Sequence, residues 1–389
     1  MPEPEAGQHS LGKAWREASW WIVVSACAAE TGRKELTNLL KEPADWSAVL
    51  SLAKEHGVIA HLAEALSSNL IAVPAEVRQE LQELRHSQIL VSLSMTAELF
   101  RLVDKFRKAG IEVLAIKGPV LSGRAYGDPG FRQFGDLDFL LRSNDVERGT
   151  ETLAADGYEP RVPVSAIRRG RVPGEYLFRK TSNQMLVELH TERSLRYFPR
   201  ALPIDEYFAR QARVEIDGHR VPAMAPEDEF VHICVHGTKH MWDRLAWIAD
   251  VAAILRTNSL DWRRAVGAAR RAKATRMLLL GGVLASEILR APLPQELDEE
   301  IRQDRALPKI ASEIKRRLPA MPSEGLWKRA AYRVSTGGGS ISGFAYFCRL
   351  AFSTTERDWR DDDSRQASSW EDLSRRLRRL ARLYGRHGT

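Results

Sequence analysis

Asp136 and Asp138 stand two residues apart in the run Asp136-Leu137-Asp138-Phe139-Leu140-Leu141. Strand alternation places both carboxylates on one face and turns Leu137 and Phe139 to the other. Two like charges this close repel, and a divalent cation between them turns the repulsion into binding; Mg²⁺ in particular takes carboxylate oxygens together with substrate phosphates. The competing reading of the same tripeptide is an exposed edge strand that carries charge to prevent sheet-to-sheet pairing.

Upstream, the apolar run Val113-Leu114-Ala115-Ile116 stops at Lys117-Gly118-Pro119. A strand followed by proline in the first helical position reads as a strand-to-helix turn, whose unpaired amides, with the ammonium of Lys117, suit a phosphate. Helix-compatible residues from Val120 to Tyr126 follow, closed by Gly127-Asp128-Pro129-Gly130. Downstream, Tyr176 to Lys180 and Met185 to His190 read as a hairpin turning through Thr181-Ser182-Asn183. In its second strand Glu188 lies opposite in facing to Val187 and Leu189, so it either faces solvent or supplies a third carboxylate. His190 shares that face and is a secondary candidate for handling a proton.

Lys117-Gly118, Tyr126, Arg132 and Gly135-Asp136-Leu137-Asp138 together resemble the uncharacterised nucleotidyltransferase family, a branch of the DNA polymerase β-like nucleotidyltransferase superfamily. The resemblance implies a small mixed β-sheet core and a nucleoside triphosphate donor, ATP above others. It also implies two Mg²⁺ ions held by Asp136, Asp138 and Glu188, which are the catalytic residues in this reading. Where the superfamily usually opens its helix with Gly-Ser or Gly-Gly, this chain has Gly118-Pro119, so phosphate contact falls to Lys117 and to amides from Gly118 onward, with Arg132 near. A second block, His236-Gly237-Thr238-Lys239-His240-Met241-Trp242-Asp243-Arg244-Leu245 with Trp247-Ile248-Ala249-Asp250, also resembles the family and brings Lys239 and Arg244 towards the β- and γ-phosphates. His236 and His240 are four apart, a metal-pair spacing on a helix, but no glutamate follows the first histidine and Gly237 intervenes.

The reaction implied is in-line attack of a hydroxyl on the α-phosphorus, with metal ions bracing the attacking and leaving oxygens and Glu188 accepting the hydroxyl proton. The acceptor, a small molecule or a peptide or protein hydroxyl, is not specified by any motif. Two other classes fit part of the pattern. A metal-dependent glycosyltransferase also uses Asp-x-Asp on nucleotide sugars but has no need of Glu188, and a catalytically silent protein would use its basic helices to bind nucleic acid.

The elements around these residues set the architecture. The chain has 389 residues, 44% hydrophobic and 28% charged, which is a globular composition with room for more than one domain. Its net charge of +7 favours anionic partners without choosing among nucleotide, nucleic acid and membrane surface; nucleic acid is the less favoured. Cys27, Cys234 and Cys348 lie far apart with no metal spacing, the pattern of isolated thiols. The first residues lack a secretory pattern and no apolar run is long enough to cross a bilayer, so a cytoplasmic location is expected.

Apolar residues at helical spacing fill residues 11–106: Trp20, Val23 and Val24; Leu36, Leu39 and Leu40; Val49, Leu52 and Ala53. Gln88 to Lys108 reads as one long amphipathic helix carrying Leu90, Leu93, Met95, Leu99, Leu102 and Phe106. A second hairpin turns at Asp217-Gly218, after which the chain is helical to a last basic amphipathic helix from Trp370 to Tyr384. The expected fold is α+β: an N-terminal helical region (1–95), a nucleotidyltransferase core built on a small mixed sheet (96–225) and a C-terminal helical domain (226–389).

Overall fold

The computed structural model describes residues 6–67, 73–164, 167, 174–191, 199, 203–257, 259–320, 326–337, 343–345 and 348, with side chains from Glu17 onward except those of residues 326 and 327. The helix expected over Trp370 to Tyr384 lies outside the described residues. The fold is α+β, as the patterning implies. Helices α1 (Ala6–Cys27), α2 (Glu30–Leu39), α3 (Trp46–Glu55), α4 (Ile59–Ser67) and α5 (Ala75–Lys108) lead into strand β1 (Leu114–Ile116). Then come α6 (Gly118–Tyr126), β2 (Asp136–Leu140), α7 (Val146–Ala154), β3 (Tyr158–Pro160), β4 (Glu175–Lys180), β5 (Leu186–His190), α8 (Ile204–Ala209), β6 (Ala212–Ile216) and β7 (His219–Ala223). Helices α9 (Pro226–Lys239), α10 (Leu245–Thr257), α11 (Trp262–Arg271), α12 (Thr275–Leu289), α13 (Gln295–Gln303), α14 (Leu307–Arg317) and α15 (Leu326–Thr336) follow.

All strands belong to one mixed seven-stranded sheet in the order β3-β4-β5-β2-β1-β7-β6. Its centre is the parallel pair β2 and β5, in which Asp138 lies opposite Glu188 and Leu140 opposite His190. On the other side of β2, β1 runs antiparallel with Ile116 opposite Asp138. The β6–β7 hairpin turns through Asp217 (φ 47°) and Gly218 (φ 79°), both in the left-handed region that tight two-residue hairpins need.

Period-two alternation gives the sheet two unlike faces. Ala115, Leu137, Phe139, Tyr176, Phe178, Val187 and Leu189 form an apolar face buried with Met95, Leu99, Leu102 and Phe106 of α5 and Val146 and Leu153 of α7. The opposite face carries Asp136, Asp138, Glu188 and His190, and its apolar members Leu114, Ile116 and Leu140 belong to a second core. That core joins N-terminal helices (Trp20, Val23, Leu36, Val49, Leu62) to C-terminal ones (Phe230, Ile248, Val251, Leu278), so helical regions far apart in sequence bury each other.

Helix α5 differs from its expected start, since it begins directly after Pro74 and runs for 34 residues. Met95, Leu99, Leu102 and Phe106 share the buried stripe, whereas Leu90 and Leu93 are 54% and 50% exposed. At 3.6 residues per turn, positions five and two before Met95 fall well away from that stripe. The apolar content that made the helix legible therefore includes residues that do not build its core face.

The sheet's outer strands are fastened to α5 by charge. Glu98, only 8% exposed, accepts from Arg101 Nε at 2.7 Å, Lys180 Nζ at 2.8 Å and the Tyr158 hydroxyl. Arg101 also donates to Asp156 at 2.7 Å, and Lys105 pairs with the same carboxylate. Burial alone would raise the Glu98 pKa, but the hydrogen bonds from Arg101, Lys180 and Tyr158 bring it down to about 2. A folded-state pKa below the unfolded value contributes stability that is complete above about pH 4.5 and is lost as pH falls towards 2. Glu98→Gln should therefore lower the melting temperature most near neutral pH and approach wild type as pH falls towards 2; an offset from wild type that does not change with pH would show that the Glu98 charge contributes nothing.

Candidate active site

The site begins at the turn from β1 into α6. Lys117 has φ 56° and ψ −141°, and Gly118 has φ 47°, so consecutive residues leave the usual right-handed regions. A lysine in that conformation carries strain of order 1–3 kcal/mol, which surrounding contacts must offset. The contact is at hand: Lys117 Nζ lies 3.1 Å from Asp138 Oδ2, with both side chains largely buried. Pro119 fills the first turn, where its lack of an N–H costs nothing, and Leu121 N donates to Lys117 O at 3.0 Å to start the helix. The remaining first-turn amides of α6 lie at the end of β1, the strand next to β2.

Asp138 is the hub. His190 Nε2 lies 2.7 Å from its Oδ1 and 3.3 Å from Glu188 Oε2, and Lys117 holds the other Asp138 oxygen. Asp138, Glu188 and His190 each offer a ligand atom, all within 4.8 Å of one another. The register explains this: parallel strands stand about 4.8 Å apart, so the paired residues Asp138 and Glu188 present neighbouring carboxylates on one face, with His190 one alternation further on. The two carboxylates fit a divalent cation, with oxygens that suit Mg²⁺, and His190 lies beside them as a hydrogen-bond partner.

The protonation states follow from this crowding. Burial would raise Asp138, but Lys117 and His190, by charge and hydrogen bond, hold it well below the usual carboxylate range. At Asp136 burial, then the Asp138 charge, outweigh the opposing charges of Lys117 and His190 and push the group up to about 6. Burial pulls the His190 imidazole down, yet hydrogen bonds and charge from Asp138 and Glu188 overcome it and raise the group to about 10. Lys117 is likewise raised against its burial by Asp138, Asp136 and Glu188. Asp138 is thus kept ionised opposite Glu188 by the cations beside it.

The other residues expected at the site are placed as follows. Arg132 is buried, its Nε donating to Asp250 Oδ2 at 2.7 Å, while Tyr126 donates to the other Asp250 oxygen at 3.0 Å. This pair ties the loop after α6 to α10, and Arg124 makes a parallel bond from α6 to Glu229 of α9. Lys239, at the end of α9, lies 3.4 Å from Glu175, which sits opposite His190 in the sheet. Arg244 is exposed, with its guanidinium 5.9 Å from the centre of the Trp247 ring. The contribution of His190 to the cluster was visible in the sequence as a shared strand face; its hydrogen bond to Asp138 was not, because nothing local specifies which strands pair. The Lys117 ammonium on Asp138 was hidden for the same reason.

Removing the ammonium isolates its effect. Lys117→Met should shift the aspartate that titrates near pH 6 upward, because the charge that opposes its neutral form is gone. Carboxyl carbon NMR titration reads this directly, and an unchanged midpoint would mean that the Lys117 charge does not reach Asp136.

Among the described residues no helix is long and apolar enough to cross a membrane. No curated protein matches the chain. The sequence model of a family described as uncharacterised nucleotidyltransferase matches residues 42–290, more than half of the chain, and that span runs from before α3 through α12 and takes in the whole sheet and its carboxylate face. The chain belongs to this uncharacterised nucleotidyltransferase family.

Proposed function

We propose that the chain is a Mg²⁺-dependent nucleotidyltransferase that moves a nucleoside monophosphate, AMP from ATP, onto a hydroxyl of a small molecule, peptide or protein. The observation that carries this reading is the opposition of Asp138 and Glu188 across the parallel strands β2 and β5, one strand away from the Lys117-Gly118 turn. Asp136, Asp138 and Glu188 are the ligands in this reading; Asp138 and Glu188 converge with His190, and Asp136 lies one alternation away on the same strand. When bound, Mg²⁺ supplies charge neutralisation at the triphosphate and at the attacking oxygen.

The chain's own residues account for the remaining tasks. Lys117 and the amides that open α6 bind phosphate oxygens, and Lys239 at the end of α9 and Arg244 just before α10 are further cations for the bound nucleotide. Arg132 holds the loop after α6 in place through Asp250. The acceptor oxygen attacks the α-phosphorus, the bond from that phosphorus to the bridging oxygen of pyrophosphate breaks, and the hydroxyl proton passes to Glu188. His190 is the poorer acceptor because its Nε2 is already engaged by Asp138 and Glu188. Glu188 is half-buried beside His190, on the face it shares with Asp138. In this reading the chain acts in the cytoplasm on a nucleotide, with nucleic acid the less favoured partner.

Two measurements test the reading. In calorimetry, Mg²⁺ should strengthen ATP binding in wild type and Asp138→Asn with Asp136→Asn should abolish that gain while thermal melts remain cooperative; equal ATP affinity with and without Mg²⁺ would remove the proposal. Separately, Glu188→Gln should keep part of the metal-dependent ATP binding while pyrophosphate release falls by about a hundredfold, the scale of losing a general base. Acceptor-free ATP hydrolysis serves as the assay, and wild-type turnover in Glu188→Gln would reassign the proton.

A further inference from the structure

Helix α9 and its C-cap carry histidines at positions 232, 236 and 240, a spacing that keeps them on one side and advances about 6 Å at each step. His232 lies within electrostatic reach of Lys117, His190 and Asp138, and His236 and His240 within reach of Lys117. The far end of the row is pinned beside the site, since Lys239 pairs with Glu175, the sheet neighbour of His190.

The row ends in an aromatic cluster. The His236 and His240 ring centres are 4.7 Å apart, and Trp247 of α10 lies 5.4 Å from the first and 5.0 Å from the second. All three rings are half-buried, so each keeps a surface open to solvent. The chain spends conformational strain to build this arrangement: Met241 (φ 58°) and Trp242 (φ 55°) are consecutive left-handed residues that reverse the chain between α9 and α10. Trp242 is fully buried against Gly237, where an added Cβ would lie 2.5 Å from the indole. That reversal is what brings Trp247 back onto His236 and His240. Burial also lowers the pKa of His240 to about 3 and that of His236 well below its ordinary value, so both rings are neutral at physiological pH.

We infer that His236, His240 and Trp247 form the stacking surface for the nucleobase of the triphosphate, with Arg244 at its edge. This rests on the nucleotidyl-transfer reading of the carboxylate site. A row of side chains running from Asp138 through His232 to the rings gives the ligand's own order, phosphates at the carboxylates, ribose in the middle and base at the end. Neutral, flat, partly exposed rings favour a planar heterocycle, and a guanidinium near the indole adds attraction to a stacked base.

The experiment compares Mg²⁺-ATP with Mg²⁺-tripolyphosphate, which keeps the phosphates and lacks base and ribose, on wild type, Trp247→Ala, Trp247→Phe and His240→Ala. Wild type should bind ATP more than tenfold tighter than tripolyphosphate. Trp247→Ala should lose about tenfold in ATP affinity with tripolyphosphate affinity unchanged, the size expected for one lost stacking partner, and Trp247→Phe should restore most of it. His240→Ala should show the same selective loss, which keeps the test decisive if Trp247→Ala does not fold. Equal weakening of both ligands, or unchanged ATP affinity in both alanine variants, overturns the inference. Metal-dependent tripolyphosphate binding with no preference for ATP overturns the stacking surface and leaves the carboxylate site standing, whereas wild type that binds neither ligand overturns the nucleotidyl-transfer reading itself.

Discussion

The parallel pairing of β2 with β5 is the constraint on which the site depends. Asp138 and Glu188 are fifty residues apart in sequence and become adjacent only because their strands run side by side in one register. A one-residue slip would send Glu188 into the apolar core beneath the sheet and lift Val187 or Leu189 onto the charged face. That error is heavily penalised, since Val187 and Leu189 are completely buried against α5 and α7. The hydrophobic face of the sheet thus fixes the geometry of the polar one. The carboxylates need not attract each other, and they do not; they are held together by the burial of the residues between them.

Like charges held by force require compensation, and the fold supplies it from neighbours on both sides of Asp138. Lys117 comes from the turn after β1, and His190 from the same strand as Glu188. The buried ion pair does not need to add net stability to be retained, because desolvating both partners offsets much of their attraction. Its effect is to keep Asp138 ionised in a place where burial would neutralise it. Asp136, one alternation away, feels the same two cations by charge alone, and there burial and the Asp138 charge win. Two aspartates in the same tripeptide therefore have opposite tendencies, set entirely by which neighbours reach them.

Much of this was readable in the chain. Alternation in Asp136-Leu137-Asp138-Phe139 and in Leu186-Val187-Glu188-Leu189-His190 assigned the facing of every site residue correctly, because a two-residue period is a local property. The Asp217-Gly218 hairpin and the Lys117-Gly118-Pro119 turn were legible for the same reason, each being written in a few adjacent residues. What the sequence could not reveal was pairing at a distance. That Arg132 pairs with Asp250 could not be foreseen, and Leu90 and Leu93 could be read as core until the stripe on α5 was seen to start at Met95. The side chains that looked most chemical are those whose partners come from other elements, so their roles were the least determined.

The long-range pairs share one design. Arg132 with Asp250, Arg124 with Glu229 and Lys239 with Glu175 each join the sheet or its first helix to α9 and α10. Apolar packing alone would allow those helices to slide, since hydrophobic contact is non-directional. Buried charge pairs do not permit sliding, because displacement leaves an ion without its partner at a cost of several kcal/mol. Helix α9 is fixed in this way near its start, by Glu229, and the half-exposed pair of Lys239 with Glu175 holds its close. His232 and His236 lie between these two anchors. A site assembled from two separate layers, sheet and helix, obtains its geometry from polar contacts that, taken singly, would rank as ordinary salt bridges.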